Sequence, residues 1–158
     1  MDAETPPWLS DRQQRVWRQY LNAHEELNAA VGRQLNQEWG LSTPDFQVLV
    51  RLSESADGRV RIVELADTLL WERSRLSHHL TRMQKRDLIV RQECPDDRRG
   101  AFAVLTHTGR KLLEQAAPSH ADLVRRLVFD PLTEGDLDSM DAFSASLLSR
   151  LTAHKNPG

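Results

Sequence analysis

Seven side chains between residues 73 and 82 carry the most legible chemistry in this sequence: Arg73, Ser74, Arg75, Ser77, His78, Thr81 and Arg82. A guanidinium offers a planar fork that makes two hydrogen bonds to guanine or clamps a phosphate. Hydroxyls bond phosphates and base edges, and an imidazole can donate to either. Leu76, Leu80 and Met83 recur at i, i+4 and i+7, the stripe that a helix turns inward. With those three buried, the polar set lies largely outward, as contact with a polyanion requires. The plain alternative is an ordinary solvated helix face.

A second cluster, Asp97, Arg98 and Arg99, sits in the polar stretch 95–100. A flexible basic loop there can lay Arg98 or Arg99 into a narrow minor groove, where negative potential concentrates. Asp97, two residues before Arg99, can hold that guanidinium as a bidentate partner and fix its aim. Read plainly, the stretch is a turn with solubilising charges.

The charge distribution agrees with both clusters. The chain carries −2 over 158 residues, yet residues 72–99 hold eight basic and five acidic groups, a net +3 that leaves −5 elsewhere. A local basic island on an acidic body suits one-sided binding of a polyanion.

The elements that must position these residues follow from periodicity and capping. A long amphipathic helix is expected from about Ser10 to Trp39, opened by a Ser10/Gln13 capping box and ended near Gly40. Thr43 is expected to cap a second helix, with Pro44 at its first position and Asp45 complementing its dipole, running to about Ser55. Helices over 62–70 and 72–86 follow, joined by the tight corner Leu70-Trp71-Glu72. The period then changes: 88–92 and 101–105 are β-type runs around the charged stretch, a hairpin with a loop tip. Thr106 caps a further helix towards Phe129, with a disturbance expected at Pro118. Thr133 and Asp136 open a last helix lined by Leu137, Met140, Phe143, Leu147, Leu148 and Leu151. The fold class is therefore mainly α with a small β-hairpin wing: a winged helix-turn-helix over 43–106, flanked by N- and C-terminal dimerisation helices over 10–40 and 107–153, all one domain. The terminal stripes are wider than one small module can cover, which argues for a symmetric partner.

Leu65-Ala66, then Ser74-Arg75-Leu76-Ser77, Leu80, Met83 and Lys85-Arg86-Asp87-Leu88-Ile89, resemble the helix-turn-helix of the MarR family of transcriptional regulators. Asp97-Arg98-Arg99-Gly100 through Leu105-Thr106 and Gly109-Arg110 resemble that family's wing and the start of its next helix. The resemblance implies a homodimer binding a palindromic site on double-stranded DNA, with Ser74 to Arg82 as recognition helix and Asp97 and Arg99 as the wing's paired acid and base. It also implies repression relieved by a small aromatic or phenolic ligand, for which Trp17, Tyr20, His24 and Phe46 are candidate pocket residues; their other reading is as core. Two departures stand out. Asp87 replaces the usual glycine at the helix end, where an aspartate tolerates the left-handed conformation, and His79 occupies a position that is commonly apolar.

Other chemistry finds little support. Cys94, the sole cysteine, reads as a bystander, and the adjacent His78 and His79 point about 100° apart on a helix, which does not suit one metal ion. Neither a cofactor nor a metal is expected. There is no phosphate-cradling glycine loop, nucleophile elbow or convincing triad, so an enzyme is not expected. No apolar run approaches membrane-spanning length and the acidic N-terminus lacks the features of a signal peptide, so a cytoplasmic protein without membrane contact is expected. The competing functions are a winged-helix protein-interaction module and a non-specific architectural DNA binder.

Overall fold

The computed structural model describes residues 8–94 and 97–155, with the backbone alone at 97–99. The chain divides into two compact units, residues 1–118 and 119–158.

The first unit opens with α1 (Asp11–Trp39), whose start is the expected Ser10/Gln13 capping box and whose end is Gly40 at φ 62°. Only its C-terminal part is anchored, by buried Val31 and Leu35. α2 (Thr43–Ser53) starts one residue earlier than the sequence suggests: Ser42, not Thr43, is the cap. The Ser42 hydroxyl accepts from the Asp45 amide while the Asp45 carboxylate accepts from the Ser42 amide, a reciprocal pair that Thr43 could not form with an acid at that spacing. Phe46, Val48, Leu49 and Leu52 are the apolar residues that α2 buries, alongside Asp45.

A strand absent from the sequence reading comes next, β1 (Arg59–Arg61). It is too short for a period-2 pattern and exists because β3 (Asp97–Leu105) offers it a free edge, pairing Arg59 with Val104 and Arg61 with Phe102. Both arginines lie over the Phe102 ring, at 4.9 and 5.6 Å from its centroid. With β2 (Ile89–Cys94) the antiparallel sheet has the order β1-β3-β2. The expected hairpin is therefore longer and three-stranded. Residues 97–99 belong to β3 rather than to a loop over 95–100, and Cys94 pairs with Asp97 after a register shift. Pro95 and Asp96, expected at the tip, lie outside the described residues.

Between these strands stand α3 (Ile62–Leu69) and α4 (Arg73–Lys85). Leu65 and Ala66 of α3 and Leu76, Leu80 and Met83 of α4 are essentially inaccessible to solvent, so the expected buried stripe forms. α5 (His107–Val124) begins at Thr106, whose hydroxyl accepts from the Gly109 amide at 2.9 Å and also reaches the carbonyls of Asp87 and Leu88. Gly109 permits this join: a Cβ there would stand 2.1 Å from the Leu88 carbonyl oxygen. Asp87 adopts φ 56°, as an aspartate at a helix end can, and its carboxylate accepts from the Thr108 hydroxyl at 2.7 Å. Pro118, where a disturbance is expected, lies inside α5 and does not end the helix. The proline frees only the exposed Glu114 carbonyl, which water can satisfy, and α5 continues to Val124.

In the second unit a π-helical turn, Arg125–Phe129, precedes α6 (Glu134–Lys155). Thr133 and Asp136 cap α6 reciprocally, as expected. None of the residues of α6 is buried, and Met140, Phe143, Leu148 and Leu151 are all about half exposed or more.

Candidate nucleic-acid interface

The seven polar residues singled out in the sequence form the outer side of α4. Arg73, Ser74, Arg75, Ser77, His78, Thr81 and Arg82 are all exposed, while Leu76, His79, Leu80 and Met83 are buried beneath them. α4 has no side-chain cap at Glu72, so nothing from that residue's side chain covers its first amides.

Several of these side chains are held by the protein itself. Arg75 lies over the Trp71 indole, its Cζ 4.6 Å from the ring centroid. Thr81 donates to the Ser77 carbonyl at 3.0 Å. Arg91 of β2 reaches the same carbonyl at 2.6 Å and the Ser77 hydroxyl at 3.3 Å, so the hairpin is tied directly to the middle of α4. Arg82 places Nη2 2.9 Å from His79 Nδ1. A guanidinium can only donate, so Nδ1 accepts and the ring proton sits on Nε2.

That Nε2 faces a charge the sequence did not reveal. Asp45, 5% exposed, brings Oδ1 within 2.9 Å of His79 Nε2, at ion-pair distance but without the alignment of a straight hydrogen bond. Its Oδ2 accepts from Arg86 Nη1 at 2.8 Å, and Arg86 Nη2 donates to the Gly40 carbonyl at 2.7 Å. Burial by itself would raise the Asp45 pKa. The contacts with His79, the Ser42 amide, Arg86 and the Ser42 hydroxyl outweigh it and hold the carboxyl well below the usual carboxylate range. A single buried carboxylate thus links the start of α2 to His79 of α4 and to Arg86, the C-cap residue of α4, and Arg86 carries the link on to Gly40 at the end of α1.

Asp97, Arg98 and Arg99 lie at the start of β3, and their side chains are outside the described residues. The proposed pocket residues are dispersed. Trp17 and Tyr20 stack on one another at 5.9 Å, about half exposed, and His24 is exposed beside Asn28. Phe46 is buried in the first turn of α2, whereas Trp17 stands about 33 Å along α1 from Trp39 at 1.5 Å per residue. Among the described residues no group of His, Cys, Asp and Glu could hold a metal ion, and no helix is long and apolar enough to cross a membrane.

Sequence reasoning missed Asp45, Trp71, Arg86 and Arg91 as parts of this site. Asp45 reads as a dipole-complementing surface acid, Trp71 as a corner residue, and the two arginines as undifferentiated charge. Only the Ser42-x-x-Asp45 spacing gave a usable hint.

Comparisons with known proteins fit this geometry. AbsC, a MarR family transcriptional regulator from Streptomyces coelicolor, is 38% identical; the match covers 92% of this chain and 98% of that one, with a TM-score of 0.87. The chain belongs to the MarR family. A sequence model of the MarR family matches residues 39–100, from the end of α1 into β3. A second MarR family regulator from Streptomyces coelicolor, Sco3205, was solved in complex with DNA. It is likewise 38% identical, over 94% of this chain and 92% of its own, with a TM-score of 0.88. The transcriptional repressor MprA of Escherichia coli (strain K12) is 25% identical over 119 residues, 75% of this chain and 67% of its own length. The chain is accordingly a DNA-binding transcriptional regulator with the winged-helix fold of the MarR family.

Proposed function

We propose that this MarR family protein is a homodimeric repressor that reads a palindromic operator and releases it when a small aromatic ligand binds. The observation that carries the reading is the outer side of α4, where seven hydrogen-bonding side chains are exposed above buried Leu76, His79, Leu80 and Met83. In this reading Arg73, Ser74 and Arg75 enter the major groove at the N-terminal end of α4, Ser77, His78, Thr81 and Arg82 contact edges or phosphates further along, and Arg98 and Arg99 follow the minor groove with Asp97 steadying Arg99. Residues 43–106 form the reading module. Residues 10–40 and 107–153 form the dimerisation arms; the exposed Trp17 and Tyr20 in the first unit and, separately, Phe143 and Leu148 in the second are apolar groups a partner would cover. The stacked, half-exposed Trp17–Tyr20 pair supplies the aromatic wall for a ligand, with exposed His24 further along the same helix, while Phe46 stays a core residue of α2. Repression is supported by the likeness to MprA, and DNA as partner by the likeness to Sco3205. Such a protein works in the cytoplasm.

Selection of bound duplexes from a random pool tests this reading. A palindrome with half-sites about one helical turn apart is expected. Arg75→Ala should then lose about 1–3 kcal/mol and relax preference at one position per half-site. No enrichment, or unchanged affinity in both Arg75→Ala and Arg99→Ala, would remove the reading surface. A titration with aromatic carboxylates that leaves operator affinity constant would remove the ligand.

A further inference from the structure

Trp71 does more than turn the corner between α3 and α4. The corner is tightly set: Leu70 takes φ 56°, and the Trp71 amide donates to the Ala66 carbonyl at 3.0 Å. From there the indole occupies the middle of a stack that runs from solvent into the core. The Arg75 guanidinium lies over its ring at 4.6 Å. The His79 ring meets it edge to face, centroids 5.4 Å apart and planes at 88°. His79 is itself buried and held between Arg82 and Asp45. Each layer is less exposed than the one outside it: Arg75 is exposed, Trp71 half-buried and His79 buried.

Cation–π attraction has a useful consequence. A guanidinium held over an indole is not committed to a carboxylate, so its N–H donors are left for a ligand. An arginine fixed in this way has lost rotamer freedom before any ligand arrives, yet keeps the planar fork that matches guanine O6 and N7. A salt bridge to a carboxylate would also have fixed the side chain, but by occupying the donors that reading needs.

We propose that Trp71 is a specificity-determining positioning residue: it holds Arg75 on its face so that the guanidinium fork is pre-aimed at a base pair, with His79 as the buried support of the indole. This rests on the reading of Arg75 as a base contact. Trp71 itself contacts no base in this scheme, and its effect is confined to the base pair that Arg75 reads.

The test uses the full chain and the duplex recovered by random-pool selection. Arg75→Ala first assigns the base pair at which preference is lost. Wild type, Trp71→Phe, Trp71→Leu and the double variant Trp71→Leu/Arg75→Ala are then titrated against duplexes altered at that pair and against random duplex over a range of salt. Discrimination at the assigned pair should fall about 5- to 10-fold in Trp71→Leu and about 2- to 3-fold in Trp71→Phe, whose smaller ring stacks more weakly. Random-duplex affinity and its salt slope should stay constant, and Trp71→Leu should add nothing once Arg75 is alanine. A Trp71→Leu protein that binds every duplex uniformly worse, or that keeps full discrimination where Arg75→Ala loses it, overturns the proposal and leaves the Arg75 reading standing. If thermal melting shows that Trp71→Leu does not fold, the Trp71→Phe arm decides: undiminished discrimination overturns the proposal. If Arg75→Ala itself leaves base preference intact, the reading of Arg75 falls and the role of Trp71 falls with it.

Discussion

Replacing Asp45 by alanine should cost about 3 kcal/mol, and the structure says where that loss comes from. Half of the reciprocal cap disappears, because the Ser42 amide loses its acceptor at 3.0 Å while the Asp45 amide keeps the Ser42 hydroxyl; that is worth about 0.5–1 kcal/mol. Arg86 loses one partner, but its side chain is 43% exposed and still bonds the Gly40 carbonyl, so solvent screening holds this contribution to about 1 kcal/mol or less. The remainder falls on His79, whose Nε2–H stays buried with no charge facing it, a penalty of about 1–3 kcal/mol. Urea unfolding at a fixed protomer concentration measures the total. A His79→Leu background isolates the last part: with no buried N–H left to orphan, Asp45→Ala should cost about 1–2 kcal/mol less there.

The same carboxylate sets an acid limit. Its folded-state pKa lies below the unfolded value of 3.8, so its stabilisation is complete above that value and is lost as pH falls towards the folded pKa. Asp57, Asp122 and Asp136 are shifted the same way but are exposed, so they contribute little. Stability of the wild type should therefore drop below about pH 4, and the drop should shrink in Asp45→Asn. A cost under 1 kcal/mol for Asp45→Ala, or an equal cost with and without His79, would refute the assignment of Asp45 as the joint between α1, α2 and α4.

Three further outcomes follow from local geometry. Gly109→Ala should destabilise by about 3 kcal/mol, since a Cβ 2.1 Å from the Leu88 oxygen demands a backbone shift in the Thr106 join; Gly135→Ala, with nothing nearer than 4.0 Å, should be neutral or gain up to about 1 kcal/mol, and thermal melts of the two settle it. Leu70→Asn should raise stability by about 1 kcal/mol, because the leucine is 75% exposed at φ 56° and gives up strain without losing much burial; a loss instead would show that Leu70 packs against something outside the single chain. Arg91→Gln should weaken specific binding while leaving the salt slope unchanged, because Arg91 is spent on Ser77, whereas Arg73→Ala should reduce the slope by about 0.9 for each phosphate that goes unneutralised.

What the sequence made legible is what local patterns encode. Ser10 with Gln13 and Thr133 with Asp136 are caps written within four residues, and both form. Leu76, Leu80 and Met83 fixed which side of α4 turns inward, and the helix-end role of Asp87 followed from its conformational tolerance. The illegible features depend on partners distant in sequence. Asp45 meets His79 and Arg86, 34 and 41 residues later, and no pattern around residue 45 distinguishes a buried acid from a surface one. β1 has three residues, two of them arginine, and is a strand only because β3 is there to pair with it. The charged run before Gly100 looked like a loop because polarity was taken for irregularity, yet β3 already starts at Asp97.

The basic island also has to be reread. Counted from sequence, its eight cations all look available to a polyanion. In the structure Arg86 is turned to Asp45 and Gly40, Arg91 to Ser77, and Arg82 in part to His79. A recognition helix cannot be anchored through the side it presents to its ligand, and its apolar stripe fixes depth in the core better than it fixes rotation or slide along the axis. Side chains that tie α4 to its neighbours supply those constraints: Arg86, its C-cap residue, reaches out to Asp45 and Gly40, Arg91 reaches in from β2 to the middle, and Trp71 stands at the N-terminal corner. Charge in this island is therefore divided between binding and aiming. A regulator that gave all eight cations to phosphate would gain affinity for any duplex, whereas cations turned inward restrict where the remaining ones can point, and that restriction favours one sequence over others.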